Sequence, residues 1–103
     1  MKIIQKLSDR IEDEIRDAKD YVLMALEVKD EYPELGRILY TISMQEMDHM
    51  RMLHDGVTGV ISAYRSEHGE PPEKMMAVYE YLHQRHIAWA NKIRARQDNF
   101  LKK

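Results

Sequence analysis

Two chain breakers constrain this sequence more than any other feature in it. Pro33 stands about a third of the way along the 103 residues, and the run Gly69-Glu70-Pro71-Pro72 about two thirds of the way. Proline is tolerated in a helix only in the first turn, and glycine is favoured just past a helix end, so each breaker marks a stop followed by a start. The stretches between them carry apolar residues at steps of three and four, without strand-like alternation or an internal repeat. This predicts three helices, over about 2–31, 33–68 and 72–100, in a single all-α domain spanning 1–103. The second would be ~50 Å long at 1.5 Å per residue. Gly56 and Gly59 fall inside it, each costing about 1 kcal/mol against alanine, and predict either a kink or a close helix contact there.

The sequence contains no cysteine, which excludes disulfide frameworks, thiolate metal sites and cysteine nucleophiles. Any metal must be held by Asp, Glu or His. The longest stretch free of Asp, Glu, Lys and Arg is Gly56 to Tyr64, far short of the ~20 apolar residues of a membrane span, so no membrane association is expected. The segment from Met1 to Asp9 has no apolar core of an export signal, and the expected compartment is the cytoplasm. Net charge is −2 but unevenly spread: the first 31 residues carry nine acids and six bases, the last 31 three acids and seven bases. Lys92, Arg94, Arg96, Lys102 and Lys103 suit the negative dipole end of a final helix. No recognition motif or aromatic interleaving accompanies them, and nucleic acid is not an expected partner.

Read in alternating steps of three and four, the first helix gives Ile4, Leu7, Ile11, Glu14, Ala18, Tyr21, Ala25, Val28 and Tyr32, an apolar seam with one carboxylate in it. The second gives Leu35, Leu39, Ile42, Glu46, His49, Leu53, Gly56 and Val60, interrupted by a Glu-x-x-His pair. Folded as an antiparallel hairpin around Tyr32 and Pro33, facing residues have numbers summing to about 65. Glu14 then faces Arg51, Glu46 faces Lys19, and the three polar residues lie within about a turn and a half of each other. Glu and His three apart on a helix point the same way, which suits two ligands of one metal or metal pair. Carboxylate with imidazole fits Fe, Mn or Zn better than Ca or Mg. The competing reading is a buried network in which Glu14 pairs with His49 or a nearby Lys or Arg, or a splayed bundle in which these residues are solvated.

At these residues the chain resembles the ferritin-like di-iron carboxylate superfamily, whose four-helix bundle supplies a Glu from each of two helices and a Glu-x-x-His from each of the other two. Glu14, Glu46 and His49 are half of that set. Pro33-Glu34-Leu35, Ile38-Leu39, Glu46 and His49 resemble the second helix of half-sized encapsulated ferritins, and Glu14 with Tyr21 seven residues on resembles the first metal helix of rubrerythrins. The resemblance implies a bundle completed by a homodimer or higher homo-oligomer, with two Fe at a site shared between chains, Mn or Zn being the other candidates. Glu46 would bridge the metals, Glu14 and His49 would be terminal ligands, and Tyr21 or Asp48 would support them. It further implies ferroxidase-type oxidation of Fe²⁺ by O₂ or peroxide, for iron storage or detoxification, with Glu14, Glu46 and His49 as catalytic residues. No targeting peptide follows Lys103, so an encapsulin shell is not expected as partner. A helical homo-oligomeric assembly module using the same polar seam for register, without functional metal, is the alternative.

The third helix holds a second Glu-x-x-His, Glu80 and His83, with His86 following. Folded against the second helix so that facing numbers sum to about 140, it sets Glu80 near Val60 and His83 near Val57, ~15–20 Å from Glu46 along the axis, too far to complete that site within one chain. His86 falls level with His54. The run Met44, Met47, Met50 and Met52 is expected to fill core and interface gaps.

Overall fold

The computed structural model describes residues 2–102, and Met1 and Lys103 lie outside the described residues. Three helices make up the fold, α1 Lys2–Val28, α2 Pro33–His68 and α3 Glu73–Leu101, and among the described residues there is no strand. None is long and apolar enough to cross a membrane. The breakers act as their chemistry predicts. Pro33 opens α2 in its first turn, and Tyr32 before it stands outside the α region (φ −130°, ψ 73°), which the proline ring disfavours for the preceding residue. Gly69 takes φ +80° at the end of α2, where its N–H donates to the Arg65 carbonyl at 3.0 Å. α1 stops at Val28, three residues short of the expected end, because residues 29–32 are consumed in reversing the chain, with the Tyr32 N–H donating to the Val28 carbonyl.

The helices run up, down and up in a body of 56 × 18 × 18 Å. α3 lies antiparallel to α2, with Gln97 donating to Ser43 and Phe100 stacked on Tyr40 at 4.8 Å, and rests more on α1 than on α2. These pairs reproduce the expected register sum of 140. The α1–α2 register is a little tighter than expected: His49 meets Glu14 and Ser43 meets Ala18, because the turn is centred earlier than Pro33.

The core stripe corrects the sequence reading. Buried residues of α1 are Ile4, Ser8, Ile11, Ile15, Ala18, Val22 and Ala25, which keeps every second member of the expected seam and replaces Leu7, Glu14 and Tyr21 by their C-terminal neighbours. In α2 the buried set Gly36, Ser43, Met47, Met50, Val57 and Ile61 is the expected seam displaced by one residue throughout, a rotation of about 100°. Burying Glu14 and Glu46 without a counter-charge costs several kcal/mol, whereas Ile15, Val22 and Met47 lose their water at no such cost. The displaced core keeps one internal polar link, in which the Ser43 hydroxyl donates to the Ala18 carbonyl at 2.6 Å and accepts from Gln97 Nε2 at 2.9 Å. Gly56 and Gly59 do not mark a close contact within the chain: α2 runs through both as α-helix, and a Cβ on either would meet nothing within 4 Å. The close contact is at Gly36, where a Cβ would stand 3.2 Å from Lys29 Cα.

Candidate metal centre

Rotation of the core leaves the polar members of the sequence-predicted seams on the side of the hairpin that α3 does not cover. There α1 presents Glu14 and α2 presents Glu46 and His49. One ligand atom from each lies within 4.8 Å of the others, and among the described residues this is the one group of three or more acidic or imidazole side chains so placed. His49 Nδ1 is 3.3 Å from Glu14 Oε2 and 4.0 Å from Glu46 Oε2. The carboxylates are mostly covered, with Glu46 18% and Glu14 25% exposed, and the imidazole is 53% exposed. The trio therefore forms a shallow cup, open to solvent on the imidazole side.

Its electrostatics are those of an anionic site short of cations. The Glu46 carboxyl is pushed up to about 7, first by its hydrogen bond with the Glu14 side chain, then by burial and by the Glu14 charge, with Asp17 adding to the rise and His49 opposing it. Two carboxylates this close share a proton in preference to both ionising. The expected facing bases are elsewhere: Arg51 pairs with Asp48 on its own helix, and Lys19 lies on the opposite flank of α1. Asp48 is thereby engaged away from the trio, while Tyr21 sits half-buried two turns along the same flank as Glu14.

The third helix adds nothing to this cluster. Glu80 is exposed, and His83 stacks on His54 at 4.4 Å with the rings 10° from parallel and on Tyr79 at 5.9 Å. His83 thus sits one turn of α2 away from the expected Val57. His86 is buried and reaches α1 instead of His54, donating from Nε2 to Glu12 Oε1 at 3.2 Å. His54 is held below the ordinary imidazole range, by burial first and then by the neighbouring His83 and His86, with Asp55 acting the other way. The Glu12–His86 pair was not legible as such, although 12 and 86 flank the apolar positions Ile11, Ile15 and Ala90 that carry α1 and α3 together. Of the methionines, Met47 and Met50 fill the core, but Met44 and Met52 are 38% and 70% exposed.

Fold and site together define an all-α, three-helix chain with a carboxylate–imidazole cluster on its uncovered face. Comparison with protein-family models, with curated proteins and with solved structures finds no match for it.

Proposed function

We propose that the chain is a non-haem di-metal carboxylate protein in which two copies join their uncovered faces into a ferritin-like four-helix bundle and oxidise Fe²⁺ in the manner of a ferroxidase. The observation that carries this reading is the convergence of Glu14, Glu46 and His49 within 4.8 Å on a face that no helix of the same chain covers. The donor chemistry fits a divalent transition metal: two carboxylates and an imidazole, with Glu46 held near 7 by its hydrogen bond with Glu14, by burial and by the Glu14 charge. Three protein ligands are too few for a pair of metals, and a second copy doubles them to the superfamily's full list of four carboxylates and two imidazoles. Toward the α1–α2 turn the same face exposes apolar side chains that a second copy would cover, with Leu35 43% and Ile38 56% exposed on α2 and Met24 41% exposed on α1, while Asp17 stands near the trio itself.

The chain's own residues have distinct tasks. Glu14, Glu46 and His49 would together hold the metal, the two carboxylates from the covered depth of the cup and the half-exposed imidazole from the side that a second copy meets. Iron would enter as substrate and give electrons to O₂ or peroxide, and the protein's part is to set the spacing and leave coordination positions open.

The test couples metal to assembly. Without metal a shared interface gathers four carboxylates against two imidazoles, so association is opposed. Metal that binds only the associated state should favour it by ~2.7 kcal/mol when free metal is 100-fold above its dissociation constant. Sedimentation with chelator and with anaerobic Fe²⁺ should show the shift, and Glu14→Ala should associate without metal at least as well as wild type while losing the metal response. A wild type that stays monomeric when loaded overturns the shared site. A protein that assembles but takes up no stoichiometric transition metal on iron loading, by elemental analysis, is instead the assembly module.

A further inference from the structure

On the far side of α1 from Glu14, rotated by about 140–160° around the helix axis, an open cleft of about 370 Å³ runs between α1 and α3. Its floor is apolar, formed by Ile15 and Ile93, which are 2% and 3% exposed. Arg16 and Lys19 rise on the α1 wall, and Trp89, Lys92 and Arg96 on the α3 wall, where spacings of three and four hold them on one face. Four cations therefore face one another across a narrow gap in a chain whose net charge is −2. Among the described residues Lys19, Lys92 and Arg96 have no carboxylate within ion-pair distance, and the Arg16–Asp13 pair is long (3.4 Å) and more than half exposed. The helix dipole does not account for them, because the last turn of α3 contains no base and Lys92 and Arg96 stand inside the helix.

A concave site with an apolar floor, an indole on one wall that already carries the Arg85 guanidinium 4.7 Å from its ring centre, and four cations of which only Arg16 has a carboxylate partner, is complementary to an aromatic anion. Lysine and arginine recognise phosphate by charge-assisted hydrogen bonds, and indole takes a planar ring by stacking or edge contact. We propose that this cleft binds a nucleotide-type aromatic phosphate, its phosphates among Arg16, Lys19, Lys92 and Arg96 and its ring system against Trp89. The volume is that of a small-ligand site. A nucleic-acid strand needs a continuous basic track, and here the next base along α3, Arg94, turns away into the separate pocket lined by His54 and His86. The inference does not depend on the metal reading, since the two sites share no residue.

Trp89 is the only tryptophan in the chain, so its emission reports the cleft alone. Protein stripped over a chelating resin, which prevents phosphate from bridging to metal at Glu14, Glu46 and His49, is titrated with ATP, tripolyphosphate and adenosine, with excitation at the red edge of the indole band. Equilibrium dialysis of the same ligands serves as an independent measure. ATP should bind saturably and weaken as salt is raised to about 0.15 M, where the Debye length is ~8 Å. Tripolyphosphate should bind several-fold more weakly, and adenosine should leave both readouts unchanged. Lys92→Glu with Arg96→Glu should raise the ATP dissociation constant at least tenfold with unchanged helical circular dichroism. The control pair Lys6→Glu with Lys74→Glu, exposed positions at the other end of the bundle, makes the same change in net charge and should leave it within twofold. Absence of saturable ATP binding by dialysis, or equal weakening in the control pair, overturns the proposal. So does tighter binding of a short single-stranded oligonucleotide than of ATP, which would assign the cleft to nucleic acid.

Discussion

Two clusters of acids and imidazoles sit at similar heights on opposite flanks of the α1–α2 hairpin, and they differ in whether α3 lies over them. Under α3, Glu12 is given His86 as a partner at 3.2 Å, and His54 is given His83 as a stacked neighbour. On the other flank Glu14 and Glu46 have only each other and a half-exposed His49, and one carboxyl rises to about 7. Similar residue types thus end in different states. A covering helix supplies each buried polar group with a partner from the same chain, whereas the uncovered flank keeps an excess of negative charge for something outside the chain to neutralise. The same contrast separates a structural cluster from a functional candidate.

The largest expected effect falls on the uncovered cluster. Glu46→Ala should weaken divalent metal binding by at least ~100-fold, since even partners one step removed from a metal are worth 10–100-fold, and should abolish iron oxidation. His49→Ala should follow to an equal or lesser degree, while Glu80→Ala with His83→Ala should leave iron oxidation near wild type. Anaerobic titration and aerobic absorbance measure both. Full activity in Glu46→Ala would remove the site assignment, and loss of activity in the helix 3 pair without loss of assembly would bring α3 of another subunit into it.

The covered cluster should respond in stability instead. His86→Ala removes a buried ring and leaves Glu12 partly buried and unpaired, at a cost of about 2–3 kcal/mol in urea unfolding, with metal affinity unchanged. A similar loss of metal affinity in this variant would erase the distinction between the flanks.

The smallest effects are on pH dependence of the metal-free protein, and the two clusters act with opposite sign. Glu46 has a folded-state pKa near 7 against an ordinary value of 4.5, so the folded state holds its proton more tightly and stability falls as pH rises through that interval. Glu46→Gln should therefore melt a few degrees higher than wild type at pH 8 and equally at pH 4. His54 is depressed below its ordinary 6.5, so the unfolded state binds the proton first and stability falls as pH drops through 6.5. His54→Gln should flatten that acid-side slope alone. Melting curves across this range that move together for both variants would mean that the clusters are not independent.

Much of this was written in the residues. The three helices follow from Pro33 and Gly69–Pro72 because backbone chemistry at proline and glycine is local. The α2–α3 register at Ser43 and Tyr40 follows from the length of the connection, although it slips by a turn at His54 and His83, and the association of Glu14 with Glu46 and His49 follows from helical spacing on two antiparallel helices. Each of these needs only a few neighbouring residues to be correct. The identity of the core stripe was not legible in the same way. In α1 the residues Ile4, Ile11, Ala18 and Ala25 belong equally to a seam through Leu7, Glu14 and Tyr21 and to one through Ser8, Ile15 and Val22.

Sequence stepping cannot choose between two flanks that share every second member. The position of α3 chooses, since a third helix must bury its own stripe of Ala90, Ile93, Gln97 and Phe100 and can do so against the apolar flank without desolvating a carboxylate. That one packing decision turned Glu14, Glu46 and His49 from the predicted core toward the open face, paired Glu12 with His86, and brought Arg16 and Lys19 across from Lys92 and Arg96. Local chemistry settled which segments are helical and that Glu14, Glu46 and His49 share a level. Which way each helix turns was left to the tertiary structure, because burial is decided by what lies opposite a side chain and not by what lies beside it in the chain.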